Sequence, residues 1–482
     1  MTKKFFLALY LVLVLFLLPF FNFPSIAAKP LRDRIAPTTP SNLTASFITD
    51  NSVDLSWNPS TDNVNVSSYY VYKSSSFFAS SVTTSYKVTG LSSGTSYTFY
   101  IKARDGAGNL SSSSSSLTIT TTKPIQPPPS QPSKKLIGYY AGWAGYNGFT
   151  PDKIDAGKLT HINYAFANIS SDLKIAIGDP GIDPSNFEKL KTLKLQYPNI
   201  KTLISVGGWS WSEKFSDAAL SDSSRTIFAD SCVQFIKANG FDGVDIDWEY
   251  PVGGGLPTNV YRSEDKQNFT LLLAKIREKL DAQGAADGKK YLLTIAGGAS
   301  QYYINNTELR TLEQYLDYAN IMTYDIHGTW DTYTDFNSPL YNNTDTSPQY
   351  KLSIDSVVNA WVNAGVPIDK LVIGIPFYGY KYNSVTNINN GLYQKFSGGS
   401  SISYASITAN YLNSPGYIRY YHSQSQVPWL FNGSTFISYD DQQSVGIKAG
   451  YVKTKGLGGA MLWELSQDPN KVLLNAVYNG LQ

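Results

Sequence analysis

The sequence predicts an α/β protein whose main part is a (β/α)8 barrel preceded by a small β-sandwich. After residue 135, eight apolar runs of strand length alternate with helical segments. Between residues 36 and 123, short runs rich in Ser, Thr, Val and Tyr alternate with turn residues. A Pro-rich stretch, 124–134, separates the two regions. Repeated βα units predict a parallel sheet covered by helices, and eight of them close into a barrel.

The first residues of the chain predict a secretory signal. Two lysines precede an apolar run, 5–23, and the small residues of segment 25–28 follow it. A basic start, an apolar stretch and small residues are typical of a signal peptide, so we expect residues 1–28 to be removed, after Ala27 or Ala28. The mature chain is then secreted and extracellular, with no membrane partner. An uncleaved anchor is the alternative, because the apolar run is long.

The region 36–123 predicts the β-sandwich, through alternating runs at 52–57, 68–73 and 97–103. It resembles a fibronectin type III domain, because Trp57 and Tyr97 stand where that family has its core Trp and its tyrosine-corner Tyr. The sandwich could be a spacer or could hold the rest of the protein near a polymer. The Pro-rich residues 124–134 predict a semi-rigid linker.

The region 135–482 predicts the barrel. Its eight candidate strands are 136–141, 160–167, 201–206, 243–248, 291–296, 319–324, 371–377 and 458–463. Helical segments between them include 185–196, 224–239, 264–283, 353–364 and 444–454. Because a plain barrel needs only about 250 residues, we expect an insertion between strands seven and eight, at about 379–436, where the sequence predicts short strands with turns.

Composition fits a neutral, sugar-like partner, and it fits a large sheet-rich core equally well. Aromatic residues make up 14% of the chain, charged residues only 16%, and the formal net charge is +2. Such a balance gives no basic surface for nucleic acid. The single cysteine, Cys232, excludes a disulfide within the chain, and the three histidines lack metal-ligand spacing. We therefore expect no metal, no cofactor, no nucleic-acid partner and a monomeric protein.

The fourth strand carries the strongest chemical signal. Within 241–250, Asp245, Asp247 and Glu249 alternate, so they share one face of the strand. Three crowded, poorly solvated carboxyls raise at least one pKa, as a general acid requires. A solvated acidic face or a metal site is the alternative. The opposite face is apolar, which favours a barrel strand covered by helices; it comprises Val244, Ile246 and Trp248. Asp242 has the other parity and is interpreted as structural.

This segment matches the D-x-x-D-x-D-x-E signature of family-18 glycoside hydrolases, the chitinase family. The insertion at about 379–436 resembles the small α+β insertion domain of many members of this family. The resemblance implies substrate-assisted catalysis, an exception to the usual two-carboxylate schemes. Glu249 would protonate the glycosidic oxygen and then activate water. Asp247 would orient the sugar's 2-acetamido group, Asp245 would share a proton with Asp247, and Tyr324 would bind the acetamido oxygen. The implied substrate is chitin or its N-acetylglucosamine oligosaccharides, cut with retention.

Other residues at strand ends are predicted to contact the substrate. The resemblance places Met322, Asp325 and Trp463 around the reacting sugar, with Tyr139 and Ser205 supporting the aspartates. Ser205 could equally serve a tight turn. The remaining candidates for substrate binding are Tyr250, Trp209, Trp330 and Tyr378, with Trp143 and Trp211 as open alternatives. Phe166 is interpreted as core.

One position departs from the family pattern. The family's strand-seven motif commonly ends P-F-Y-G-R, and Tyr380 stands where that Arg is usual. The substrate contact of that Arg and the subsite preference are therefore open. An endo-β-N-acetylglucosaminidase or peptidoglycan hydrolase is the alternative function. A chitin-binding lectin is a further alternative, although Glu249, the acid that such lectins usually lose, is present.

Overall fold

A computed structural model describes residues 33–122 and 134–482, which form two compact units. The predicted signal segment 1–28 and nearly all of the predicted linker 124–134 lie outside the described residues. Within the described ranges, no helix is both long and apolar enough to span a membrane.

The first unit is a β-sandwich, as predicted. One sheet has the order β1-β2-β5 and the other β4-β3-β6-β7. The strands are β1 Ser41–Ser46, β2 Ser52–Asn58, β3 Val66–Lys73, β4 Ser76–Ser81, β5 Ser85–Thr89, β6 Ser96–Asp105 and β7 Leu117–Thr120. Trp57 is buried against Tyr69, with ring centroids 5.5 Å apart. The Tyr97 hydroxyl accepts a hydrogen bond from the Ser92 N–H at 2.8 Å, the contact expected of a tyrosine corner.

The second unit contains the closed barrel, and this prediction is confirmed. Eight parallel strands follow the order β8-β9-β11-β12-β13-β14-β15-β21, and β8 pairs with both β21 and β9. Their bounds are β8 Lys135–Ala141, β9 His161–Ile169, β11 Lys201–Gly207, β12 Gly243–Asp247, β13 Leu292–Gly298, β14 Tyr318–Met322, β15 Leu371–Pro376 and β21 Gly459–Trp463. A short strand, β10 Ile175–Ile177, pairs antiparallel with β9.

Helices cover the barrel. They are α1 Asp183–Gln196, α2 Gly208–Trp211, α3 Phe215–Ala219, α4 Asp222–Asn239, α5 Asp265–Asp287, α6 Gln301–Asn305, α7 Leu309–Leu312, α8 Ile354–Asn363, α9 Tyr404–Asn410, α10 Gln442–Lys455 and α11 Val472–Leu481. The sequence sets several of their ends. Ser221 and Ser224 form a capping box at the start of α4, and Gly240 ends that helix in the left-handed conformation.

A five-stranded antiparallel sheet is inserted between β15 and β21. Its order is β17-β16-β20-β19-β18. The strands are β16 Tyr378–Tyr382, β17 Gly399–Ser403, β18 Ile418–His422, β19 Val427–Phe431 and β20 Phe436–Ser438. Tyrosines of β16 belong to the same apolar cluster as Tyr139, Tyr324 and Met461 inside the barrel. The insertion sheet is therefore packed directly onto the barrel mouth.

Candidate active site

Strand β12 places three acids inside the barrel. Asp245, Asp247 and Glu249 are all buried, with 0%, 3% and 8% of their surfaces exposed. The alternate side chains point outward, where Trp248 stacks on Phe215 at 5.4 Å. The acids therefore point inward and the apolar side chains outward, as the alternation along the strand predicted. Asp242 lies outside this row and forms an ion pair with Lys194 at 2.6 Å.

Asp245 lies at the bottom of the site and accepts four hydrogen bonds from four other strands. Tyr139 and Ser205 donate to Oδ2, each at 2.7 Å. Thr294 donates to Oδ1 at 2.5 Å, and Asn320 donates to the same oxygen at 3.3 Å. Burial raises the pKa of Asp245, and these hydrogen bonds oppose that rise. Because its oxygens are occupied by the protein, Asp245 acts as a fixed support for its neighbours.

Asp247 differs from Asp245 in its hydrogen bonding. No described residue donates a hydrogen bond to its Oδ1, although that atom is buried. Burial, followed by the charges of Glu249 and Asp245, holds the pKa of Asp247 well above its usual range. A buried carboxylate oxygen without a donor costs free energy unless a ligand supplies one. This oxygen is therefore suited to accept a hydrogen bond from a bound molecule.

Glu249 is held by its backbone. Its N–H donates to Ser212 Oγ at 2.9 Å, and its carbonyl accepts from Asn259 Nδ2 at 2.8 Å. Burial raises the pKa of the Glu249 carboxyl to about 7, with a smaller contribution from the Asp325 charge and opposition from a Tyr250 hydrogen bond. A carboxyl with this pKa is about half protonated at neutral pH and mostly protonated at mildly acidic pH, and it is therefore suited to general acid catalysis.

The end of β14 contributes the other side of the site. The Tyr324 hydroxyl lies 3.9 Å from Met461 Sδ. Asp325 has a left-handed backbone, with φ of 56°, and its Oδ1 accepts from Tyr378 at 2.5 Å and from Tyr380 at 2.7 Å. Two phenol donors on one oxygen hold this carboxylate in a single orientation.

These groups surround a cleft of about 910 Å³. Eight of the predicted residues line it: Trp209, Asp247, Glu249, Tyr250, Met322, Tyr324, Asp325 and Trp463. Of the other predicted residues, Asp245, Tyr139 and Ser205 form the hydrogen-bonded group beneath the cleft, and Tyr378 holds Asp325. Trp330 is 59% exposed and lies beside Tyr380. Trp143 and Trp211 also line the cleft; from the sequence alone, their role in substrate binding was undecided.

The apolar floor includes a residue that the sequence did not identify. Phe166, interpreted as core, lines the cleft and stacks on Trp463 with centroids 5.7 Å apart. Its half-buried position follows from its place near the end of β9, where the strand reaches the mouth. Thr294 and Asn320 were also missed. Each is a polar residue on the inward face of an otherwise apolar strand, and that pattern is the signal that could have identified them.

Ser205 lies inside β11 and not in the turn that follows this strand. The turn after β11 uses Gly207 and Gly208, whose φ angles are 101° and 69°. A Cβ on Gly207 would lie 2.4 Å from the Asp247 carbonyl oxygen, so the turn requires glycine there. The Ser205 hydroxyl, two residues earlier, binds Asp245.

Two family models match the chain. Residues 135–468 match the model "Glycosyl hydrolases family 18", and residues 38–120 match "Fibronectin type III domain". The chain is 45% identical over 403 residues to chitinase A1 of Niallia circulans, covering 71% of this chain and 58% of that relative. The chain thus spans somewhat more than half the length of that curated relative.

Solved structures give similar matches. A family-18 N-acetylglucosaminidase from Paenibacillus barengoltzii is 40% identical with a TM-score of 0.67, and the match covers 72% of this chain and all of that one. Chitinase ChiA74 from Bacillus thuringiensis is 40% identical with a TM-score of 0.68, covering 72% of this chain and 70% of that one.

Proposed function

The chain belongs to glycosyl hydrolase family 18, and from that premise we propose that it hydrolyses β-1,4 linkages of chitin by substrate-assisted catalysis. The observation that carries the proposal is the pairing of two buried carboxyls in one cleft. Glu249 has a pKa of about 7, and Asp247 has a carboxylate oxygen without a donor. Similarity to chitinases, chitinase A1 among them, supports chitin as the substrate.

Glu249 is the general acid in this proposal. With its pKa raised to about 7, it is protonated at mildly acidic pH and gives its proton to the leaving glycosidic oxygen. The C1–O bond breaks, and the 2-acetamido oxygen of the same sugar bonds to C1 to give an oxazolinium ion. Glu249, now ionised, then removes a proton from water as the water oxygen bonds to C1. The C1–O bond of the oxazolinium ring breaks in the same step, which restores the acetamido group and the protonated Glu249. Two displacements at C1 retain the anomeric configuration.

Asp247 orients the acetamido group. Its donor-free Oδ1 accepts a hydrogen bond from the acetamido N–H, and this hydrogen bond strengthens as positive charge develops on the oxazolinium ring. Asp245, fixed by its four donors, keeps the Asp247 carboxyl in place and couples to it electrostatically. Tyr324 offers its hydroxyl to the acetamido oxygen, and Trp463 with Phe166 forms the apolar surface beneath the sugar.

Asp325 is less suited to act as a protein nucleophile. Its Oδ1 already accepts two phenol hydrogen bonds, which lower the reactivity of that oxygen. The proposal assigns the attack on C1 to the acetamido oxygen of the substrate, so it requires an N-acetylated sugar at the cleaved bond.

The first test is Glu249→Gln, assayed by reducing ends released from soluble N-acetylglucosamine oligomers. We expect the wild type to release the β-anomer first, and the variant to bind the oligomer with hydrolysis reduced by several orders of magnitude. Glu213→Gln, at a carboxyl whose side chain is 53% exposed, is the matched control and should keep full activity. Near-wild-type turnover by Glu249→Gln would overturn the assignment.

The second test concerns the substrate. Side-by-side product analysis on chitin, peptidoglycan and a glycoprotein should give N-acetylglucosamine oligomers from chitin alone. Fully deacetylated chitosan should not be cut, because it lacks the acetamido oxygen that forms the oxazolinium ion. Cleavage of that polymer would contradict the substrate-assisted step while leaving a hydrolase assignment intact.

We also propose that the chain is exported, on the evidence of the signal pattern in residues 1–28. Expression of the full sequence in a secreting host, followed by N-terminal sequencing of the protein in the medium, tests this. A mature N-terminus just after Ala27 or Ala28 is expected, and retention of Met1 in the cell fraction would contradict it.

A further inference from the structure

Tyr380 makes two contacts of different kinds. Its hydroxyl donates to Asp325 Oδ1 at 2.7 Å, beside the bond from Tyr378 to the same atom. Its ring lies 5.3 Å from the indole of Trp330, at an interplanar angle of 85°. Asp325 lines the cleft, whereas Trp330 is 59% exposed. One residue of the insertion sheet therefore touches both an acid of the cleft and an exposed aromatic side chain.

The backbone around Asp325 is tied to the same sheet. Asp325 N–H donates to Asn337 Oδ1 at 2.8 Å, and Asn337 N–H donates to Ser438 Oγ at 2.8 Å. Ser438 lies opposite Tyr380 in the β16–β20 pairing. The insertion sheet thus holds both the main chain and the carboxylate of Asp325.

The indole of Trp330 is also held from a second side. A Cβ on Gly328 would lie 2.2 Å from its six-membered ring, so the indole packs closely over that glycine. Tyr380 supports the indole from the insertion sheet, with the edge-to-face geometry that aromatic pairs prefer. The ring of Tyr380 therefore fixes the orientation of an exposed aromatic surface next to the cleft.

We propose that Tyr380 is a positioning residue that joins Asp325 to Trp330, so that the insertion sheet sets both the catalytic rate and the preference for longer chains. The inference rests on the proposed function, since it takes N-acetylglucosamine oligomers as the ligand. The hydroxyl of Tyr380 acts on the reacting end of the cleft through Asp325. Its ring acts on a sugar further along the chain through Trp330, whose exposed face is suited to stack on a pyranose.

The groups around Asp325 are consistent with a role of the Tyr380 hydroxyl at the reacting end of the cleft. The titratable groups that face Asp325 are Glu249 and Tyr250 after β12, Tyr324 after β14, and Tyr378 and Tyr380 on β16. Tyr382, further along β16, donates no hydrogen bond to Asp325. Burial raises the pKa of Asp325, and the hydrogen bonds from Tyr378 and Tyr380 lower it. The two phenols therefore favour the ionised carboxylate, and loss of one makes Asp325 bind a proton more tightly.

Three variants separate the two contacts, with kinetics measured on a fluorogenic chitobioside and on the N-acetylglucosamine hexamer. Tyr380→Phe removes only the hydroxyl. We expect kcat to fall about tenfold on both substrates, KM for the hexamer to stay unchanged, and the acidic limb of the pH profile to move to higher pH. Tyr380→Leu should show the same loss and also raise KM several-fold for the hexamer alone. Trp330→Ala should raise that KM without moving the pH profile.

Tyr382→Phe is the matched control on the same strand. Its hydroxyl is buried and finds no hydrogen-bond partner among the described residues, so its removal should leave both kinetic constants and the pH profile as in the wild type. Circular dichroism and thermal midpoints of every variant check that the fold is retained.

The outcomes distinguish the inference from the proposed function. If Tyr380→Phe behaves like Tyr382→Phe, or if Tyr380→Leu affects both substrates equally, the inference is wrong although the wild type is active. If the wild type cleaves neither substrate, the proposed function itself fails.

Discussion

Replacing Glu249 with Gln should stabilise the folded protein above neutral pH as well as remove its activity. The reason is the burial of a carboxyl whose pKa is raised from 4.5 to about 7. Between these two pH values the unfolded chain has released the proton that the folded chain retains. The contribution of Glu249 to the free energy of unfolding therefore falls as pH rises through this window and is constant outside it.

The size of the effect follows from the window. At about 1.4 kcal/mol per pH unit, the interval from 4.5 to about 7 corresponds to about 3 kcal/mol of lost stability. Asp247 adds to it with the same sign, because the Glu249 charge raises the pKa of Asp247 and Gln removes that charge. With an unfolding entropy of about 2.1 cal/mol/K per residue over roughly 350 residues, about 3 kcal/mol corresponds to about 4 °C in the unfolding midpoint.

Thermal unfolding of the two proteins between pH 4 and pH 8.5, at one scan rate, measures this difference. We expect equal midpoints near pH 4, where Glu249 is protonated and resembles Gln, and a gap that grows to about 4 °C by pH 8. Glu213→Gln, at an exposed carboxyl, should show no pH-dependent gap. A difference between wild type and Glu249→Gln that stays constant with pH would refute the argument that Glu249 is protonated because it is buried.

Two further changes test other parts of the electrostatic account. Asp325→Asn removes a charge that raises the pKa of Glu249, so the alkaline limb of the kcat–pH profile should move to lower pH; a limb that stays in place would contradict the coupling. Lys448→Met should lower the free energy of unfolding by about 3–5 kcal/mol, because it leaves the buried carboxylate of Asp440, 2.7 Å from Lys448 Nζ, without a cation. Urea titration measures this loss, and adding Asp440→Leu should restore most of it; a loss below about 1 kcal/mol would count against the ion pair.

The alternation of acids on β12 was predictable because a strand has a period of two. Once the apolar residues are assigned to the covered outer face, Asp245, Asp247 and Glu249 must point inward. The support of Asp245 was only partly predictable. Tyr139 and Ser205 came from the family resemblance. Identifying Thr294 and Asn320 as its partners required the register of β12 against β13 and of β13 against β14, which local sequence does not encode.

The aromatic residues show a second limit of sequence analysis. Phe166 and Trp463 belong to strands on opposite sides of β8, and their stacking depends on closure of the barrel. Tyr378 and Tyr380 share one face of β16, as a period of two predicts. Their convergence on Asp325 depends on how the insertion sheet packs against the loop after β14. Contacts between distant segments decide these positions, whereas local patterns decide the strands themselves.

The pairing of β8 with β21 has a consequence for how the chain is made. Lys135 pairs with Gly459, so the first barrel strand finds one of its neighbours only after nearly the whole unit has left the ribosome. Until then the edges of β8 and β15 have unpaired backbone groups that favour aggregation. The sandwich pairs its strands entirely within residues 41–120 and can fold earlier. A chain truncated before Gly459 should therefore keep a folded sandwich and fail to form a barrel. The same pairing of distant segments gives the barrel the high contact order that is associated with slow folding.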